Sequence, residues 1–275
     1  MAHGTDILEL ANGLKARGEA FAMATVVRTV AATAAKAGAK ALIHADGSIS
    51  AGWIGGGCAR GAVLRAAREA LADGKARLVS VQPMGVLAEQ GLRPGEERDG
   101  VNFARNMCPS HGTMDVFIEP VLPRPGVLVC GASPVAVAVA ELAARFGFSV
   151  TVAAQPDDHA RFAEPDFRLD GFALTDAPPG LNFAVVATQG RGDEAALKAA
   201  VGAVAGYIAF VGSHRKAAAL RAALAEDGVD PARLARVRAP AGLDIGAVTP
   251  EEIALSVVAE MIEVRRRGQK VVCEP

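Results

Sequence analysis

From residue 127 onward the chain alternates short apolar strands with helices, and that alternation leaves few folds open to it. Val127 to Cys130 reads as a buried strand, Val135 to Phe146 as a helix, and Ser149 to Ala154 as a second strand. Phe183 to Thr188, Asp193 to Val204 and Tyr207 to Val211 continue as strand, helix and strand. Short apolar strands separated by helices run parallel and are covered on both faces. The final helix opens with Thr249-Pro250-Glu251-Glu252, an N-cap, an N1 proline and a capping-box glutamate in register. This rhythm starts just after Leu122-Pro123-Arg124-Pro125-Gly126, where two prolines and a glycine can continue neither a helix nor a central strand. The chain of 275 residues therefore divides into domains at 1–122 and 126–275.

The first domain also mixes helices and strands. Thr5 reads as an N-cap for a helix carrying Ile7, Leu10, Ala11 and Leu14, with Gly18 past its end. Phe21 to Val30 is β-rich, and Lys40 to Ala45 and Ser48 to Ile54 flank Asp46-Gly47, a pair that favours a two-residue hairpin turn. Gly55-Gly56-Gly57-Cys58 precedes an amphipathic helix marked by Val63, Leu64, Ala67 and Leu71 and closed by Gly74. Arg77 to Val81 and Met114 to Val121 are strands. Between them Pro83 to Pro109 lacks periodicity and reads as a long loop, which in a compact domain is usually functional. The fold class is α/β: an N-terminal α/β domain followed by a Rossmann-like parallel-sheet domain.

Composition removes several functions. With 51% hydrophobic and 21% charged residues the chain is an ordinary globular protein. Its 29 basic and 30 acidic side chains give no basic excess for nucleic acid. Arg265 to Arg267 with Lys270 read as cations complementing a helix C-terminus. No stretch reaches the roughly 18 apolar residues of a membrane span, and the N-terminus lacks the pattern of a signal peptide. The cysteines, Cys58, Cys108, Cys130 and Cys273, form no CxxC pair and no zinc spacing. The expected setting is cytoplasmic, with reduced thiols.

Four segments could carry chemistry. Gly131-Ala132-Ser133-Pro134 follows a strand and opens a helix, the context of a dinucleotide turn, with Gly131 in place and Ser133 where a glycine is usual. The acid expected after the second strand is absent; Ala154 and Gln155 stand there. The turn is either a phosphate site or a bare connection. Gly212-Ser213-His214-Arg215-Lys216 also joins strand to helix, and is either a ligand edge or a polar helix start. Cys58, after three glycines at a helix N-terminus, gains thiolate character from the dipole, which suits a soft metal or sulfur transfer. It also fits as a small buried residue in a tight junction. Cys108 and His111, in Cys108-Pro-Ser-His-Gly, form a second thiol and imidazole group. Cys130, in a core strand, and Cys273, on the tail, read as inert.

Ala24-Thr-Val-Val-Arg-Thr, Gly38-Ala-Lys, Gly55-Gly-Gly-Cys58, Cys108-Pro-Ser-His-Gly and Asp115-Val-Phe-Ile-Glu-Pro-Val resemble the N-terminal region of XdhC/CoxI proteins. Phe210-Val-Gly-Ser-His-Arg-Lys and Pro240-Ala-Gly-Leu-Asp-Ile-Gly-Ala-Val-Thr-Pro-Glu-Glu-Ile-Ala resemble that family's Rossmann-like domain. Arg60 and Ala154 depart from the family pattern, which has a glutamate and an aspartate there. The resemblance implies a chaperone rather than an enzyme, one that binds molybdenum cofactor and delivers it to an apo molybdenum hydroxylase such as xanthine dehydrogenase or carbon monoxide dehydrogenase. The cofactor is a molybdopterin, in some cases a dinucleotide. A cysteine desulfurase is a second candidate partner, and a homodimer a candidate assembly. On this reading Gly55, Gly56, Gly57 and Cys58 face the metal or sulfur end, with Cys58 a molybdenum-side ligand and Cys108 and His111 beside it. Gly131, Ser133, Gly212, Ser213, His214 and Arg215 face the phosphate or nucleotide. The alternatives are an NAD(P)-dependent oxidoreductase, which needs a ribose-binding acid and a proton donor, and a nucleotide-gated interaction protein that carries no cofactor.

Overall fold

The structure, a computed structural model, describes residues 6–109, 111–204 and 206–267, without the side chain of Cys58. Thr5, Lys270 and Cys273 therefore lie outside the described residues. The chain forms two compact units that divide between Pro123 and Arg124. No helix among the described residues is long and apolar enough to cross a membrane.

The first unit runs α1 (Ile7–Ala16), β1 (Phe21–Val30), β2 (Lys40–His44), β3 (Ile49–Gly52), α2 (Gly57–Asp73), β4 (Arg77–Pro83), α3 (Met84–Glu89), β5 (Glu97–Arg98), β6 (Val101–Asn106) and β7 (Thr113–Val121). The N-cap of α1 is Asp6, whose carboxylate accepts from the Leu8 N–H at 2.9 Å. The seven strands form one sheet in the order β3-β2-β1-β7-β4-β6-β5. Only β4 and β6 pair in parallel; the remaining neighbours are antiparallel. Helix α2 lays Val63, Ala66, Ala67 and Ala70 over Val79, Val81, Val116 and Ile118 on one face. It ends at Gly74, whose positive φ lets its N–H return to the Ala70 carbonyl at 2.8 Å. On the other face α1 covers Phe21 and Leu42.

Two expectations change here. The β2–β3 hairpin is not a two-residue turn. Gly47 alone is left-handed, at φ +86°, while its N–H bonds the His44 carbonyl at 2.9 Å. A two-residue type I′ turn requires two positive φ angles, so the connection is the longer kind that ends in one left-handed glycine. The segment from Pro83 to Pro109 is not a loop either, since it contains α3, β5 and β6. Strand β6 is half-buried along most of its length and shows no alternation, so period-two reading has nothing to detect.

The second unit runs β8 (Gly126–Cys130), α4 (Pro134–Arg145), β9 (Ser149–Ala154), β10 (Phe167–Asp170), β11 (Leu181–Val186), α5 (Asp193–Ala203), β12 (Tyr207–Phe210), α6 (His214–Glu226), α7 (Pro231–Leu234), β13 (Val237–Arg238) and α8 (Pro250–Arg266). All six strands are parallel, in the order β10-β9-β8-β11-β12-β13. This is the doubly wound Rossmann order, and the chain reverses its direction of travel across the sheet between β8 and β11. Helices α4 and α8 pack over Val127, Val129, Val150 and Val185 on one face. Helices α5 and α6 pack over Leu128, Cys130, Val186 and Phe210 on the other. The capping box of α8 is present, with Thr249 and Glu252 each bonding the other's backbone. Glu260 of α8 accepts from the Tyr207 hydroxyl at 2.6 Å and from the Gly242 N–H at 3.1 Å, and pairs with Arg238. Burial, reinforced by this carboxylate, raises the Tyr207 hydroxyl far above the ordinary phenol range.

Candidate functional site

Each unit places a cleft at a strand-to-helix turn. In the first unit the turn is Gly55 to Gly57, with φ of +101° at Gly55 and +32° at Gly57. Gly56 is the N-cap of α2 and makes no side-chain capping bond. The helix therefore begins without the hydroxyl or carboxylate that usually satisfies its first N–H groups. These three glycines line a cleft of about 320 Å³ together with Ala59, Val81, Met107, Cys108 and Met114. Cys58 sits in the chain between Gly57 and Ala59, both of which line the cleft; its own side chain is outside the described set.

The structure brings Cys108 to the glycine turn, which sequence separation could not establish. Asn106 makes this possible and escaped sequence reading. Its amide donates to the Gly112 carbonyl at 2.6 Å, and its side-chain oxygen accepts from the Cys108 N–H at 2.9 Å. One side chain thus ties both ends of the Met107–His111 loop; an asparagine before Cys-Pro is the local signal, since its amide bonds nearby backbone readily. Gly112 lets the loop lie against β1's continuation, because a Cβ there would sit 2.2 Å from the Ala32 carbonyl oxygen. His111 is left-handed at φ +49°, exposed, and donates its N–H to the Cys108 carbonyl at 3.1 Å. It is not among the residues lining the cleft. None of the described residues that line this cleft is charged; its distinctive atoms are the sulfurs of Met107, Cys108 and Met114. Among the described residues no group of three His, Cys, Asp or Glu could hold a metal by itself.

In the second unit Gly131 follows β8 at φ +98°, and a Cβ would lie 2.7 Å from the Thr188 Cα and 2.8 Å from the Ala187 oxygen. Only glycine lets the chain turn here against β11's end. Ser133 caps α4 by accepting from the Ala136 N–H at 3.2 Å, and Pro134 fills N1. Gly131, Ser133, Ala154, Gln155, Thr188 and Gln189 line a cleft of about 300 Å³ at the carboxyl ends of β8, β9 and β11. Its rim carries Asp158, Arg161 and Arg191, none of which the sequence singled out. They lie in a 3-10 turn and a loop, where no periodicity marks them.

Below the floor, Asp193 is buried and accepts from Thr188 and from the Gly190 N–H, and pairs with Lys216. Burial pushes its carboxyl up, but the bonds from Lys216, Thr188 and Gly190 together outweigh this and hold it below the ordinary range. Lys216 is the part of the second predicted turn that reaches this region. Gly212, Ser213, His214 and Arg215 are not among the lining residues; Ser213 caps α6, and Ser213, His214 and Arg215 are exposed. Cys130 is fully buried and its thiol is raised to about 12 by that burial, so it is chemically quiet.

Comparisons with known proteins follow these two units. A model described as the XdhC Rossmann domain matches residues 127–261, and one described as the XdhC and CoxI family matches residues 14–82. Proteins of that family are maturation factors rather than enzymes. The chain is 32% identical over 260 residues to the uncharacterized protein YqeB of Escherichia coli (strain K12), covering 90% of this chain and 44% of that protein. It is 33% identical over 167 residues to a probable xanthine dehydrogenase subunit of Bacillus subtilis (strain 168), covering 56% of this chain and 47% of that one. The chain thus spans less than half the length of these curated relatives. A solved structure of a xanthine dehydrogenase from Bacillus halodurans is 19% identical and aligns over 98% of both chains at a TM-score of 0.46.

Proposed function

The chain belongs to the XdhC and CoxI family, and from that premise we propose that it carries molybdenum cofactor and delivers it to an apo molybdenum hydroxylase of the xanthine dehydrogenase or carbon monoxide dehydrogenase type. The observation that carries this reading is the lining of the first cleft: sulfur atoms and glycine backbone, with no charge among the described residues, at an uncapped helix start. Soft sulfur suits a soft metal centre. A thiol in the first turn of α2, as Cys58 is by position, has its thiolate favoured by the helix dipole. The cargo brings a metal already held by its own sulfurs, so the chain needs to add a thiol or two rather than a full ligand set. In this reading Cys58 and Cys108 meet the metal end, the glycines let the ring system approach the backbone, and the apolar walls exclude water. The second unit has its own cleft, where Gly131 and the start of α4 suit a phosphate group. The hydroxylase is the receiving partner, a cysteine desulfurase supplies the terminal sulfur, the assembly is a homodimer, and the work is cytoplasmic.

Protein purified from a molybdenum-replete host, then oxidised, should release a fluorescent pterin and should activate apo-hydroxylase. Cys58→Ser and Cys108→Ser are each expected to lower the pterin content while leaving the melting temperature unchanged. Wild-type protein with no pterin and no activating effect would sink the proposal.

A further inference from the structure

The wall facing the Gly131 turn carries two guanidinium groups for which a single phosphate at that turn has no use. Arg161 and Arg191 both line the cleft, and both are held by Asp158: one carboxylate oxygen lies 2.8 Å from Arg191 and the other 3.8 Å from Arg161. Arg191 follows β11 and Asp158 follows β9, so the pair spans the mouth above the end of β8. The neighbouring strand end is neutral. Ala154 and Gln155 occupy the place where doubly wound folds set an acid against the ribose hydroxyls. An acid there repels a ribose phosphate, whereas a neutral strand end with arginine nearby accommodates one. Asp158 does not substitute for the missing acid, because both its oxygens are turned to arginine.

We propose that this cleft selects a nucleotide bearing a phosphate on its ribose, with Arg161 and Arg191 exchanging the Asp158 carboxylate for that phosphate. The exchange is favourable on charge. A phosphate monoester carries about −1.5 to −2 at neutral pH against −1 for the carboxylate, and offers three acceptor oxygens to planar donors. The side chains of Arg161 and Arg191 are 44% and 69% exposed, so they can swing without disturbing the core. The inference rests on reading Gly131 to Pro134 as a phosphate turn, and adds a second anion subsite to it.

Calorimetry on the full chain with NADPH, NADH, adenosine 2′,5′-bisphosphate, 5′-AMP and inorganic phosphate tests it. The 2′-phosphorylated ligands should bind roughly ten- to hundredfold tighter than their unphosphorylated counterparts, the range expected for one or two charged hydrogen bonds. The double variant Arg161→Ala/Arg191→Ala should erase that preference and leave the melting temperature unchanged. Asp158→Asn, which removes the competing carboxylate, should strengthen binding of the bisphosphate. Equal affinity for NADH and NADPH, or a preference that survives the double variant, overturns the selectivity while the phosphate turn stands. If 5′-AMP, NADH and NADPH all fail to bind, the phosphate turn falls as well. Inorganic phosphate binding as tightly as the bisphosphate overturns the role of the ribose.

Discussion

The two strand–glycine–helix turns look alike in sequence and differ in what requires their glycines. At Gly131 the requirement is internal: a side chain would strike Thr188 and Ala187, so packing alone explains the residue. At Gly56 the φ is −95° and a Cβ would have nothing within 4 Å, so neither conformation nor packing asks for glycine. The caps differ in the same sense. Ser133 satisfies part of the start of α4, while α2 starts with no side-chain cap. The walls differ too, with guanidinium and carboxylate around one turn and sulfur around the other. A glycine explained by its own fold says little about a ligand. A glycine left facing open space at an uncapped helix is where an external group has room to approach.

The largest effect that could break this contrast is at Gly131. Gly131→Ala should cost about 2–4 kcal/mol in chemical denaturation, combining a left-handed φ with a backbone clash; a loss below about 1 kcal/mol would mean the turn is not packed as described. Next is Asp193→Asn, expected to cost about 1–3 kcal/mol at pH 7, since Lys216 and the Gly190 N–H lose a charged acceptor. The folded carboxyl titrates below its unfolded value, so its stabilisation is present above about pH 4 and is lost as the pH falls through the folded value. Melting curves between pH 7 and pH 3 should therefore fall more steeply for the wild type than for the variant. Ser133→Ala should cost about 1 kcal/mol through the lost cap. Gly56→Ser is the smallest on stability, a gain of a few tenths of a kcal/mol. Its hydroxyl would cap the very N–H groups left open to cargo, so the same preparation should hold less pterin. Unchanged pterin content would remove the ligand meaning of the open glycines.

How far the sequence could be read depended on how each element is buried. Strand β8 is buried on every residue and its apolar run announced it. The start of α8 was legible because Thr249, Pro250 and Glu252 act locally, each through a cap that needs no tertiary partner. Ser133 was placed correctly as a cap for the same reason, and Gly131 because a glycine directly after an apolar strand marks a turn whatever it packs against. Strands β10 and β13 were missed; each is short, and pairing with a neighbour rather than its own pattern defines it. Asp158 and Arg191 were missed because their relation is between loops 33 residues apart, visible only once β8, β9 and β11 are laid side by side. The meeting of Cys108 with the glycine turn was hidden likewise, since it depends on Asn106 folding the intervening loop.

The triple engagement of Glu260 has a consequence for shortening the chain. A truncation that deletes the second half of α8 would strip Tyr207, Arg238 and the Gly242 amide of their shared acceptor at once. Damage would then surface at the outer strands β12 and β13 and in the Pro240–Gly246 bend, well before the cut end in sequence. The tail is a keystone for that margin of the sheet, and trimming it would not be a neutral way to make a smaller version of the domain.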